Sequence, residues 1–257
     1  MEAFPFLEEL VPYTVLLVNG LLSSLLRRLC ARLVPLRAQL VASEAISTWE
    51  LCSDVGELGI VYERHGTLMY ALALLVCCLW WCRAFGDAEA CPCGPVEDLL
   101  FGLGPGDYRS RLAGQLLGAV LTALYIKFIW SWEIIAEHRI MATTECQTSL
   151  MVSTTKGALI EGIITCISRF VAMRSIYWTQ NVSTIINSIT TVVLVLAALT
   201  TTGGYFNPIM ASALMLGCGG STLTEHFTVY WVGALIGGFF GRYFDFRLEI
   251  AIKEKYA

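Results

Sequence analysis

The sequence predicts an all-α polytopic membrane protein. It reads as an inverted repeat, each copy holding three helices and one re-entrant half-helix, with an extra hydrophobic helix at the amino terminus. Three observations predict this. Hydrophobic residues make up 56% of the 257-residue chain and charged residues 15%, against about 25% charged in an ordinary soluble domain. With a mean hydropathy of +0.65, a soluble globule could not cover its surface with polar groups. Several stretches reach the ~20 apolar residues that a spanning helix needs, and a set of motifs recurs in the same order at an offset of 116 to 119 residues. The composition also excludes other classes. A net charge of −4 gives nucleic acid no basic face to bind, and the ten cysteines are scattered through apolar runs, which is not the spacing of a disulfide framework.

The elements follow in order. Within residues 1–37, Val11–Leu26 is uncharged. Glu2, Glu8 and Glu9 stand before it and Arg27, Arg28, Arg32 and Arg37 after it, the reverse of a signal peptide. It reads as a retained helix, spanning or interfacial, with the arginines cytoplasmic by the positive-inside rule. A first unit over 38–135 holds Val41–Tyr62, amphipathic with Glu44, Glu50, Asp54 and Glu57, then uncharged Leu68–Cys82, then Leu112–Trp132. A second unit over 156–247 holds Lys156–Met173, a span near Thr179–Thr200 and Phe227–Phe244, and 248–257 is a cytoplasmic tail. From Ser175 to Thr224 fifty residues carry no charge. One span cannot use them all, and the turn signal Gly203-Gly204 precedes Asn207-Pro208, a good cap and first residue for a short helix. At membrane depth a non-helical lead-in survives only where it lines a cavity or is buried in protein.

The repeat is carried by three motif pairs. Glu44-Ala-Ile-Ser-Thr48 matches Glu161-Gly-Ile-Ile-Thr165. Cys91-Pro92-Cys93 matches Asn207-Pro208-Ile209, and Gly114/Gly118 matches Gly233/Gly237, a small-xxx-small face for close helix crossing. Three spans per copy is an odd number, so the second copy enters from the opposite side of the membrane. The two Pro-started half-helices then meet amino terminus to amino terminus near the midplane, both positive dipole ends facing one spot.

These motifs resemble the aquaporin family over about residues 38–247, with Glu-x-x-x-Thr in the first and fourth core helices and an Asn-Pro-Ala-like box at each half-helix. The degraded first box and Cys218, beyond the second, resemble the unorthodox or super-aquaporin subfamily. The resemblance implies a passive channel for water and small neutral solutes such as glycerol or hydrogen peroxide, a homotetramer in a lipid bilayer, and no cofactor. It implies that Glu44 and Glu161 hold the re-entrant loops by accepting backbone N–H bonds, and that Asn207 caps its helix and turns an amide to the pore. Cys91 in the partner position cannot do the same, a thiol being a weak donor. The resemblance places a selectivity filter at Val195, Gly204, Met210 and around Ala71. Met210 stands where strict water channels have arginine, so the expected constriction is wide and apolar.

Other readings of single residues are blander. Cys91 and Cys93 as a metal pair lack further ligands at zinc spacing. Glu97 and Asp98 read as solvated residues at the mouth, Cys77, Cys78 and Cys82 as apolar filler, and Cys218 as a residue that pairs or packs, a buried small residue by default. Lys253 and Lys255 resemble a dilysine retrieval signal, which together with the subfamily resemblance favours the endoplasmic reticulum over the plasma membrane. An enzyme finds no triad or metal cluster, since His65, His138 and His226 lie on different connections. Two other functions stay open. A secondary transporter also uses inverted repeats, but expects an ion-coordinating carboxylate at the broken helix. A pore-inactive structural protein of the endoplasmic reticulum fits the loss of Asn at position 91 and of Arg at 210.

Overall fold

The computed structural model describes residues 5–102 and 107–256; Glu2 of the acidic flank and Ala257 of the tail lie outside the described residues. Helix α1 is Pro5–Leu33 and α2 is Leu36–Ala84. Gly66, with φ of 76° and ψ of −178°, breaks α2 into two limbs, 36–65 and 67–84; only glycine adopts that backbone cheaply. Then come α3 (Cys93–Phe101), α4 (Tyr108–Trp130), α5 (Ala136–Thr143), α6 (Thr154–Ser175), α7 (Gln180–Ala198) and α8 (Pro208–Met215). The last helix starts as α9 (Leu223–His226), passes through a π-helical segment, Phe227–Gly233, and continues as α10 (Ala234–Tyr256). Among the described residues the β pairing is one isolated bridge between Gln147 and Gly219.

Among the described residues four helices are long and apolar enough to cross a bilayer: α1 over Leu7–Leu33, α2, α4 and α7. The other two expected crossings, α6 and the α9–α10 helix, are interrupted by charge, and much of it is neutralised inside the protein. Glu161 is fully buried, Arg169 pairs with Glu97, and Arg174 pairs with Asp245 at 2.9 Å. The charge-free stretch resolves as expected, with Thr179 before α7, Asn207 capping α8 and Pro208 at its first turn.

The motif repeat is a repeat in space. A Cβ on Gly114 would lie 2.4 Å from the Val41 carbonyl oxygen, and one on Gly118 2.5 Å from that of Ala45. In the second half, a Cβ on Gly233 would lie 2.7 Å from the Ala158 oxygen, and one on Gly237 2.1 Å from that of Gly162. In each half the glycine-bearing helix thus crosses the glutamate-bearing helix at backbone contact, which small residues alone permit.

Helix α1 runs antiparallel to the first limb of α2 along its length. Glu9 meets Arg64 at 3.0 Å, Asn19 donates to Asp54 at 2.9 Å, and Arg27 pairs with Glu50. Helix α1 thus lies along the same axis as that limb, which supports the spanning reading over the interfacial one. Arg27, Arg28, Arg32, Arg37 and Arg174 gather at one end of the bundle, the end the positive-inside rule expects to be cytoplasmic; the α5 connection is at the opposite end, the far side. Two elements were not expected. One is α5, whose His138 is fully buried against Glu57 at 3.1 Å; the other is the π-helical segment.

Candidate functional site

Two buried carboxylates build the site from behind. Glu44 accepts the backbone N–H groups of Glu89 at 3.0 Å and Ala90 at 2.9 Å. Arg111 at 2.6 Å and Gln115 at 3.1 Å complete its shell, and Gln115 also donates to the Cys91 carbonyl at 3.1 Å. Glu161 accepts the backbone N–H groups of Tyr205 at 3.2 Å and Phe206 at 2.6 Å, with the Thr202 hydroxyl at 2.5 Å. Both carboxylates are wholly buried. In each half the bonded N–H groups belong to the two residues preceding the box. The last of them, Ala90 or Phe206, is a non-glycine residue at positive φ, 50° and 32° respectively. Such strain persists only where surroundings fix it, and here the carboxylate does so. Thr165 bonds back to the Glu161 carbonyl at 2.6 Å.

The two boxes differ as their residues do. Asn207 is the cap of α8, its Oδ1 accepting Met210 N–H at 3.4 Å. Its Nδ2 donates to the Ala90 carbonyl at 2.8 Å, joining the loop of one half to that of the other. An amide nitrogen carries two hydrogens, and Asn207 also lines the cavity. The other helix, α3, begins after Pro92 with no side-chain cap. Cys91 is half-buried and Cys93 fully buried, and neither is on the cavity wall. Pro208 and Ile209 are buried in the first turn of α8.

A cavity of about 660 Å³ runs between the halves. Tyr62, Glu63, Thr148, Ser149 and Met151 line its far-side end, and Cys82, Phe85, Glu89 and Ser188 its cytoplasmic end. Val195, Gly204 and Met210 are also on the wall. Gly204 has no room for a side chain: a Cβ there would lie 2.9 Å from the Val195 oxygen, at a φ of +66°.

Four expectations need correction. Ala71 does not line the cavity; Tyr70 does, so the helix is rotated by one residue from the expected register. With Tyr205 also lining it, phenol rings stand on a wall that was expected to be apolar. Glu97 is not a solvated mouth residue: it is 3% exposed and takes two bonds of 2.8 Å from Arg169. Cys82 is not filler, since it is exposed and lines the cavity; Cys78 and Trp81 also touch the cavity but pack with Cys77 in the apolar core. Cys218 forms a disulfide with Cys146, and beside it the Thr148 N–H donates to the Gly219 carbonyl at 2.9 Å. Of the two options for Cys218, pairing is the one realised. Glu63 and Glu89 on the wall were not singled out from sequence; no local motif marks them. Lys253 is exposed on α10, and that helix continues to Tyr256 through the expected tail.

The chain matches no protein-family model. It is similar to curated proteins, however. Aquaporin-11 of Milnesium tardigradum is 28% identical over 202 residues, covering 78% of this chain and 73% of that protein. Aquaporin-11 of Rattus norvegicus is 27% identical over 207 residues, covering 76% and 73%. A putative aquaporin-10 of Caenorhabditis elegans is 26% identical over 215 residues, covering 80% and 75%. In fold and in sequence the chain resembles the aquaporin family, and the relatives it resembles are those of the unorthodox, super-aquaporin kind.

Proposed function

We propose that the protein is a passive channel for water and small neutral solutes, glycerol and hydrogen peroxide among them. One observation carries the reading. A cavity of about 660 Å³ lies between the two halves, with Asn207 and Met210 on its wall and no arginine, lysine or histidine among the described residues that line it. Asn207 presents a donor to a passing oxygen, and the two half-helix amino termini oppose cations there. Met210 leaves the constriction without a fixed positive charge, which favours solutes larger than water. The box at 91–93 contributes backbone and a helix start rather than a second amide.

Assembly as a homotetramer in the membrane of the endoplasmic reticulum belongs to the same proposal. The exposed Lys253 near the end of α10 supports the location. The disulfide fits a far side that is oxidising, whether lumen or cell exterior.

The test is solute flux into proteoliposomes for the wild type and Met210→Arg. The arginine is expected to lower glycerol and peroxide flux about tenfold, the equivalent of ~1.4 kcal/mol in barrier, with water flux falling less. Equal glycerol flux in both proteins would remove Met210 from the filter. No flux in either folded protein would leave the pore-inactive structural reading.

A further inference from the structure

Two aromatic side chains on the cytoplasmic half of the cavity wall are gripped from outside the repeated core. Trp81 lines the cavity, and its indole N–H donates to Asp54 Oδ2 at 3.1 Å. The other oxygen of Asp54 accepts from Asn19 Nδ2 at 2.9 Å, and Asn19 Oδ1 accepts from the Tyr125 hydroxyl at 2.6 Å. Phe85, one helical turn further along the same wall, stacks on Trp81 with centroids 6.3 Å apart. The guanidinium carbon of Arg27 is 5.2 Å from the centre of the Phe85 ring. Arg27 is paired with Glu50, which accepts the Trp80 indole N–H at 2.7 Å.

Asn19 and Arg27 both belong to α1, the helix outside the repeat. A helix that served only as a lipid anchor would need an apolar face and van der Waals contact. This one carries an asparagine with no exposed surface, set against an aspartate that is 2% exposed and a glutamate that is fully buried. Polar groups so placed in a membrane interior are held in one arrangement, because losing a partner leaves a group with no water to turn to. Asp54 leads from Asn19 to Trp81, and Arg27 itself lies over Phe85, both rings on the cavity wall.

We infer that α1 is a positioning element of the cavity. Asn19, through Asp54, fixes the Trp81 indole, and Arg27 fixes the Phe85 ring. Together they set the width of the cytoplasmic half of the passage and hence which solutes pass. The effect on flux rests on the channel reading; the effect on the wall does not.

Cys82 reports on the wall directly. It follows Trp81 in sequence, is exposed, lines the cavity and faces Ser188 at 4.0 Å. The experiment uses full-length protein in proteoliposomes: wild type, Asn19→Leu, Asp54→Asn, and Arg27→Gln made together with Glu50→Gln so that no buried charge is left alone. Leu17→Ala, at an exposed α1 position, is the control. Two quantities are read: the rate at which a small water-soluble thiol reagent modifies Cys82, followed by the mass of its peptide, and the ratio of glycerol to water flux.

Asn19→Leu and the Arg27/Glu50 double variant are expected to change the Cys82 rate by about threefold or more, since thiol reactivity follows access, and to shift the flux ratio. Asp54→Asn keeps one acceptor oxygen for two donors, Asn19 and Trp81, and is expected to shift the Cys82 rate in the same direction as Asn19→Leu, whereas Leu17→Ala is expected to stay near wild type. Wild-type Cys82 rates in both disruptive variants would overturn the positioning role, whatever the flux. Altered Cys82 rates with no flux even in wild type would uphold it and sink the channel reading instead. Should Asn19→Leu fail to fold, the double variant decides by the same criterion.

Discussion

Glu161 has the most to lose by substitution. Its carboxylate satisfies two backbone N–H groups and one hydroxyl of the loop before α8. Glu161→Leu strands two buried amide donors at about 1–3 kcal/mol each. The expected result is a loss of several kcal/mol, read as a large drop in the thermal unfolding temperature in detergent. Glu161→Gln keeps one acceptor oxygen and is expected to lose less than half as much. Glu44 has the same role with one more partner, Arg111. Equal stability of Glu161→Leu and wild type would mean that the loop is held by something other than the carboxylate. The two glutamates were legible in the sequence because each motif sits within a single helical turn and occurs twice. Tyr70 was not. One residue of rotation turns a helix by about 100°, and the charge-free run around Leu68–Cys82 gives no polar face from which to set that rotation. Glu97 was misjudged for a different reason: its partner, Arg169, is 72 residues away, and burial by a distant partner leaves no local trace.

At the scale of the element, each half has one close helix crossing, and both crossings depend on glycine. At Gly237 an added Cβ would meet the Gly162 carbonyl oxygen at 2.1 Å, and the obstacle is backbone, which cannot rotate away. Gly237→Ala is expected to cost about 1–3 kcal/mol of stability by overpacking. Gly59→Ala, where a Cβ would meet nothing within 4 Å, serves as the control with little change. Thermal unfolding of the two variants side by side checks this, and equal midpoints would mean that α6 and α10 move apart without cost. The Gly-xxx-Gly pattern and the Pro-started half-helices could be read from sequence, since each is a local spacing with one physical cause. The short α5 helix was hidden in a polar connection. Its structural reason is His138, buried against Glu57, 81 residues away. The break in α2 was legible only as a boundary between two apolar runs, since Gly66 has no partner motif.

For the molecule as a whole, the Cys146–Cys218 disulfide joins the α5–α6 connection to the loop after α8 across a separation of 72 residues. Thr148 and Ser149, just beyond Cys146, line the far-side end of the cavity, so the bond pins that end to the second half-helix. Cys146→Ser together with Cys218→Ser is expected to lower stability by about 2–4 kcal/mol and to loosen the far-side mouth. The check is thermal unfolding of the double variant, and of wild type with and without a reducing agent. A wild type insensitive to reduction would show that the bond does not carry this load. The fold class and the repeat were legible because composition, charge-free length and motif order all point one way. The disulfide was left open because ten cysteines offer many pairings and the spacing favours none.

The central claim is that the space between the halves is a passage. Osmotic water permeability of proteoliposomes holding the folded protein, followed by light scattering over a range of temperature, tests it most directly. The account predicts permeability well above empty vesicles with a weak temperature dependence, since water crossing in a pore avoids entering hydrocarbon. Permeability equal to that of empty vesicles, with the steep temperature dependence of the lipid itself, would contradict it.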